Sequence, residues 1–440
     1  MNPADIALLE RLPPALRTAN GVPDQTRVVD LERAVAIARH AFVDVLLPDG
    51  VKTSPLGPGW SRDVDLHLHA LPDEHRLHAM GWLPLEGLMG RLGMGGRGQW
   101  AVTERHRVLA CADLQVTPPP DPVEAVLARC VRRREVRLRE VLELRHLLRA
   151  GHALPVGHPA LAVAADVEAG LGGEALARWS TGTKRPAPAP LAGGGVRRRL
   201  SPARQLLRPR FVVAVSAVDG AGKSTVCRLV AASLERAGVP ATVVWTRPGM
   251  RMEWLERPVR IVKRWLGQGA RPAVEAIAAG QDVADVASRR GVLGWAWSFV
   301  VTSSFVVEVV CRQLCGRGVI LYDRHLPDAL VTLDFVYGSV PLTAQRWLVR
   351  RALPRPTLHF YLDVPPDVAV ARKPGDVFGY HAVTSQLDGY RRWLEEESPG
   401  VEVLDGSLPP DQVAWQVLWA LTMTGRADPP RSPAVGRGPS

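Results

Sequence analysis

The chain has 440 residues, of which 46% are hydrophobic and 22% charged, a composition that excludes a wholly disordered chain and asks for two or three domains. Its 55 basic residues outnumber 44 acids for a formal charge of +11, yet lysine stands only at 52, 184, 223, 263 and 373, so arginine carries the excess. Arginine without interleaved aromatics, which make up only 6% of the chain, does not build a sequence-specific nucleic-acid surface.

Cys111, Cys130, Cys227, Cys311 and Cys315 are odd in number and lack CxxC spacing, so neither a disulfide framework nor a zinc site is expected. The opening MNPADIALLERLPP carries early acids and no apolar run, which argues against a secretory leader and for a cytoplasmic protein.

In chain order, residues 28–47 show helical periodicity. DVDLHLHA (63–70) and RVLACADLQV (107–116) alternate as half-buried strands do, and helical spacing returns over 122–150 and again over 159–179. This pattern predicts an α+β domain over 1–180. Asp63 and Asp65, two apart, share one strand face, and Asp113 sits in a strand that can pair alongside. Three such carboxylates can grip Mg²⁺ beside a nucleotide's phosphates, although exposed strand acids need no function at all. His67 and His69 continue the same face, with His75 and His78 beyond, but no second ligand pair has a recognised metal spacing. Asp-x-Asp followed by a later strand Asp, with Gly81-Trp82 and the helical 122–150 downstream, resembles the nucleotidyltransferase superfold. That resemblance implies Asp63, Asp65 and Asp113 as Mg²⁺ ligands for nucleotidyl transfer. The Gly-Ser expected before the acid pair is missing, Gly50-Val51 being the nearest candidate.

Residues 181–210 are rich in Pro, Gly, Ala and Arg and read as a linker, and 426–440 read as a disordered tail. Between them the chain alternates. FVVAVS (211–216) leads into a Gly-rich turn and the amphipathic KSTVCRLVAASLERAG. ATVVW (241–245), an apolar segment over 292–314, GVILYD (318–323), TLHFYLDV (357–364) and VEVLDG (401–406) follow, with helical stretches at 366–373, 381–396 and 410–422. Short apolar runs separated by helices predict an α/β domain over 211–425, a parallel sheet with helices on both faces. Gly291–Val307 holds no charge for 17 residues, at the short edge of a membrane span. Ser298, Thr302, Ser303, Ser304 and Glu308 instead favour a helix buried against the sheet, and no membrane partner is expected.

The strongest chemical signal is Ala217-Val218-Asp219-Gly220-Ala221-Gly222-Lys223-Ser224-Thr225, placed directly after a strand and opening a helix. Small residues there let backbone N–H groups curl around a phosphate, and the helix N-terminus adds partial positive charge. Lys223 can reach the β- and γ-phosphates of ATP, and the Ser224 hydroxyl can hold Mg²⁺. The usual first glycine of such a P-loop is Ala217, so the loop must begin in a conformation that an L-residue accepts. Asp323 ends a neighbouring apolar strand, where a carboxylate can hold Mg²⁺ or its waters, and Arg324 beside it can fork onto a phosphate.

Together these motifs resemble the thymidylate kinase-like group of P-loop kinases. Asp219 holds the acid before the loop glycine, TVVWTRPG (242–249) matches the Thr-Arg-x-Pro-Gly segment, VILYDRH (319–325) the Asp-Arg-Tyr motif, and YLDVPPDVAVARKPGD (361–376) the strand and helix leading to a lid. The resemblance implies that Arg247 and Arg324 meet the acceptor and that Arg372 stabilises charge on the transferring group. It weakens at the base-recognition end, where LPDALVTLDFVYG follows His325, and there Asp328 is either an acceptor contact or a helix N-terminal acid.

The reading is therefore ATP- and Mg²⁺-dependent phosphoryl transfer to a nucleoside monophosphate or related small acceptor, in a chain for which a homodimer remains open. Two alternatives stand beside it: a bifunctional protein whose N-terminal domain transfers nucleotidyl groups, and a regulatory nucleotide-binding module without catalysis. Asp219 would serve as base only for a hydroxyl acceptor, since a phosphate acceptor is already an anion.

Overall fold

The computed structural model describes residues 25–56, 60–61, 63–94, 98–133, 135–136, 138–153, 185–186, 210–245, 291–316, 318–338, 340–373, 380–397 and 400–424. They fall into two compact units, the first drawn mostly from residues before 203 and the second mostly from those after. The helical expectation for 159–179 lies outside the described residues, as do nearly all of 181–210 and the whole of 426–440.

The first half contains α1 (Gln25–Ala41), β1 (Leu46–Lys52), β2 (Asp63–Leu68), α2 (Glu74–Ala79), β3 (Leu83–Pro84), α3 (Glu86–Arg91), β4 (Gln99–Glu104), β5 (Arg107–Gln115), α4 (Pro122–Arg133), β6 (Glu135–Val136), α5 (Leu138–Arg149) and β7 (Arg185–Pro186). Five strands form one sheet in the order β1-β2-β5-β4-β3, with β2 and β5 parallel and the other pairs antiparallel. Val64, Leu66 and Leu68 face a core with Ala110, Ala112 and Leu114, packed against Leu31, Ala34, Val35 and Ala38 of α1. Strand alternation therefore puts Asp63, Asp65 and His67 on the opposite face.

Two expectations change here. The helix predicted over 28–47 stops at Ala41, because Phe42 turns inward and Leu46 already pairs with β2. β1 is irregular where Asp49 adopts φ +54 and Gly50 approaches β2; a Cβ on Gly50 would lie 2.4 Å from His67 O. The single stretch 122–150 divides into α4 and α5. Glu143 of α5 is fully buried, accepting from the Ser54 hydroxyl, from Arg129, and from Arg139 Nε at 3.0 Å.

The second half contains β8 (Arg210–Ser216), α6 (Lys223–Arg236), β9 (Ala241–Trp245), α7 (Gly291–Cys315), β10 (Gly318–Asp323), α8 (Leu326–Tyr337), α9 (Thr343–Ala352), β11 (Leu358–Asp363), α10 (Pro366–Ala371), α11 (Tyr380–Glu397), β12 (Val401–Asp405) and α12 (Pro410–Met423). Its sheet is parallel throughout, ordered β12-β11-β8-β10-β9. The α/β architecture with a parallel sheet and helices follows the apolar runs closely.

α7 is a helix over the whole uncharged stretch, and its buried Ser298 and Thr302 are hydrogen-bonded within the fold: Thr302 Oγ1 donates to Ser298 O at 2.7 Å and Gln345 Nε2 to Ser298 Oγ at 2.8 Å. No helix among the described residues is long and apolar enough to cross a membrane. Neither α8 nor α9 is among the helical stretches read from the sequence. α8 is buried over most of its first half, with Ala329, Leu330, Val331 and Leu333 inside, so it lacks the continuous polar stripe that marks a surface helix.

Candidate nucleotide site

In an open parallel sheet a ligand sits outside the carboxyl ends of the strands, where the strand order switches direction. Here β8 lies between β10 and β11, and its carboxyl end runs into the loop 217–222. Register places Asp323, the last residue of β10, beside Val215.

The loop is built for close approach. Gly220 has φ +87, and a Cβ there would meet Ala369 O at 2.1 Å. Gly222 has φ +93 and opens onto free space. Ala217 is buried and stays out of the left-handed region, so the first position accepts a side chain without strain. Ala221 is also buried, and Thr225 N–H donates to Gly222 O at 3.0 Å as α6 starts.

Lys223 is buried and its Nζ donates to Ala217 O and Val218 O, each at 2.7 Å, while Asp219 Oδ1 stands 3.6 Å away. Burial first, and then the Arg324 charge, lowers its pKa below that of a free lysine. Asp219 also pairs with Arg324, itself at φ +92.

The Ser224 hydroxyl donates to Asp323 Oδ2, while Asp323 Oδ1 is buried without a hydrogen-bond partner. Burial pushes the Asp323 carboxyl up from its ordinary range, and the Ser224 bond and the Lys223 charge pull it back. An orphaned carboxylate oxygen next to a serine hydroxyl is the donor set that Mg²⁺ accepts. Ser224 and Asp323 thus fit that ion.

The remaining expected residues fare differently. Asp328 is fully buried as the third residue of α8: Oδ2 accepts from His325 N at 2.9 Å and Oδ1 from the Tyr390 hydroxyl at 2.8 Å. Both oxygens serve protein donors at a helix start, which is the role expected of a helix N-terminal acid. Arg372 follows α10, and its guanidinium donates to Gly406 O at 2.7 Å and Ser407 O at 3.0 Å, in the loop after β12. Arg247 lies outside the described residues, as does the segment 374–379 beyond Arg372.

Sequence reading missed Tyr390 and His359. His359 Nε2 meets Ser216 Oγ at 3.0 Å, and the buried His325 ring lies 6.2 Å from it. Burial carries His325 down to about 3, helped by His359, and carries His359 down to about 4, so both rings are neutral at pH 7. Neither was visible as a site residue because their partners lie on other strands and helices.

In the first half, Asp65 pairs with Asp113 in the β2–β5 register and Asp63 with Cys111. Burial raises the Asp113 carboxyl, opposed by a bond from Gln115 Nε2 at 3.3 Å and supported by the Asp63 charge. His67 Nδ1 contacts Thr117 O at 2.7 Å. Among the described residues no group of three or more His, Cys, Asp or Glu side chains is arranged to hold a metal.

No protein-family model matches the chain. The thymidylate kinase of Xanthomonas campestris pv. campestris is 26% identical over 210 residues, covering 47% of this chain and 80% of that protein. A probable thymidylate kinase of Methanospirillum hungatei is 26% identical over 213 residues, covering 46% of this chain and 89% of that protein.

The second half carries a kinase-like P-loop domain.

Two solved structures are also similar, both of deoxyadenosine kinase from M. mycoides. One, with dCMP and a flexible dCDP, has a TM-score of 0.30 at 15% identity and covers 47% of this chain and 96% of its own. The other, with dATP, has a TM-score of 0.32 at 14% identity and covers 47% and 97%. The sequence relatives support nucleotide phosphotransfer in general for the kinase-like domain, and its loop, lysine and strand-end acid are the groups that such chemistry uses.

Proposed function

We propose that the kinase-like domain transfers a phosphoryl group from Mg·ATP to a nucleoside monophosphate or a related small acceptor. The observation that carries this reading is the meeting of Ser224 with Asp323 beside Lys223, with Asp323 Oδ1 left unpartnered.

Loop amides from Asp219 to Thr225 bind the phosphates, and Lys223 places positive charge against their outer oxygens. Ser224 and Asp323 would hold Mg²⁺, which would supply neutralisation of the phosphates' negative charge. Arg324 and Arg247 draw in the anionic acceptor, and Arg372 adds positive charge as the transferring group leaves. Asp219, paired with Arg324 and near Lys223, orients those cations and is poorly placed to take a proton. That favours an acceptor already carrying phosphate, which needs no base. The chemistry needs a supply of ATP, for which the cytoplasm is the proposed setting.

The test is a panel of deoxynucleotides, nucleosides and sugar phosphates incubated with Mg·ATP and the full chain, with ADP release as readout. Acceptor-dependent ADP release that Lys223→Ala abolishes supports the reading. A Lys223→Ala chain with full transfer would refute it.

A second reading draws on the register of Asp65 with Asp113 and on the half-buried state of Asp113. It gives the N-terminal unit nucleotidyl transfer through Asp63, Asp65 and Asp113, whose side chains are not gathered into a three-ligand site in this structure. Label passing from α-labelled ATP to an acceptor, and lost in Asp63→Ala, is its signature.

A further inference from the structure

The Tyr390 hydroxyl, on α11, stands 2.9 Å from Ala217 O and 2.8 Å from Asp328 Oδ1. A phenol has one hydrogen and donates to one acceptor at a time, so the two oxygens compete for it. Ala217 O is the first carbonyl of the phosphate loop and also receives Lys223 Nζ. Asp328, through Oδ2, holds the backbone N–H of His325 and so fixes the start of α8 directly after Asp323 and Arg324. One buried side chain from outside the loop therefore ties the lysine's anchor to the segment that carries the magnesium acid.

We infer that Tyr390 is a positioning residue for the bound nucleotide: its hydroxyl fixes the Ala217 carbonyl and, through it, the aim of Lys223. This rests on the kinase reading above. An ammonium has three hydrogens, and Lys223 uses two on Ala217 O and Val218 O. The direction of the third is set by where those two carbonyls stand. Val218 O has no donor from α11 among the described hydrogen bonds, whereas Ala217 O has Tyr390.

The surroundings suit a rigid contact. Tyr390, Asp328 and Ala217 are all buried, and in a dry interior a misplaced hydrogen bond is not replaced by water. Burial and the Asp328 charge raise the phenol well above the ordinary tyrosine range, so it stays a donor. Tyr361 packs on the Tyr390 ring at 5.3 Å, and its own buried hydroxyl has no partner. Tyr361→Phe is therefore a matched control that removes a neighbouring hydroxyl with no loop contact.

The experiment is calorimetric titration of the full chain with Mg·ATP and Mg·ADP, run well below the melting temperature, on wild type, Tyr390→Phe and Tyr361→Phe. The expected result is about tenfold weaker binding of both nucleotides in Tyr390→Phe, the size of one buried hydrogen bond, with wild-type affinity in Tyr361→Phe. A role confined to stability would lower the melting temperature of Tyr390→Phe and leave its affinities unchanged, and that result overturns the inference. Hydrogen exchange on the wild-type chain keeps the question decidable if Tyr390→Phe does not fold. Added Mg·ADP should slow exchange in the phosphate loop and in α11 around Tyr390. Slowing in the loop with α11 unmoved also overturns the inference. A wild type that neither binds Mg·ADP nor turns over ATP removes the kinase reading and this inference with it, whereas an active wild type with an unimpaired Tyr390→Phe removes the inference alone.

Discussion

The hydroxyl of Ser224, near the start of α6, donates to the carboxylate of Asp323, the last residue of β10, across 99 positions of sequence. This contact joins the phosphate loop to the adjacent strand end and leaves the second Asp323 oxygen unsatisfied in the interior.

Asp323→Asn should separate chemistry from folding. The substitution keeps the shape and the Ser224 contact but removes the charge that a divalent cation needs. A fall in Mg²⁺-dependent ADP release of roughly a hundredfold or more is expected, of the order seen when a group acting only on transition-state charge is lost. Because burial already disfavours the ionised form, the melting temperature should stay level or rise. Magnesium titration of activity beside a thermal melt checks both halves.

Three of the loop's small residues should respond in different ways. Gly220→Ala meets both a positive φ and the Ala369 carbonyl, so it should cost well over about 1 kcal/mol and weaken ADP binding. Gly222→Ala has the positive φ alone, with a cost of about 1 kcal/mol. Ala217→Gly relieves nothing, and the added chain freedom of the unfolded state should make it slightly less stable, by about 0.5–1 kcal/mol. Urea unfolding of the three variants gives the ranking directly.

Stability should fall on the acid side because of His325 and His359. Their folded pKa values, about 3 and about 4, lie below the ordinary histidine value of 6.5. Between those limits the unfolded chain binds more protons than the folded one, so stability is full above about pH 6.5 and drains away as pH falls towards the folded values. Each ring contributes a slope of about 1.4 kcal/mol per pH unit inside its window. Urea midpoints at pH 7 and pH 5 measure the combined slope, and His325→Phe should remove its share.

Glu143→Ala should be among the most damaging substitutions in the N-terminal unit. It strips a buried carboxylate from Arg129, Arg139 and Ser54 at once and leaves their donors unanswered. A loss of about 3–5 kcal/mol is expected, whereas an apolar replacement of the whole cluster would cost far less. Denaturation of the full chain, followed by the signal of the N-terminal unit, tests it.

The second unit was largely legible because its signals are local. Apolar runs marked β8 to β12, and Lys223, Ser224 and Asp323 stood in the pattern that phosphate chemistry uses. Helix α8 escaped because the burial of its first half erases amphipathic spacing there. Tyr390 escaped because its partners, Ala217 and Asp328, are 173 and 62 positions away. Asp328 is a related case: a helix N-terminal acid and a ligand contact look alike in sequence, and only burial with two protein donors tells them apart. In the first unit the Asp63, Asp65 and Asp113 strands were legible from alternation. The end of α1 was not, since the turn at Phe42 depends on the pairing of β1 with β2.

Arg324 occupies a left-handed backbone at φ +92, a conformation that burdens any residue bearing a Cβ by about 1–2 kcal/mol. Glycine at this position would relieve that torsion but strip the largely buried Asp219 of its arginine partner, so a screen for heat resistance alone sets a relief of about 1–2 kcal/mol against the loss of a buried ion pair. Survivors of a screen that demands turnover should keep the arginine. Sequencing the two pools would show whether the awkward torsion is retained for the sake of its guanidinium.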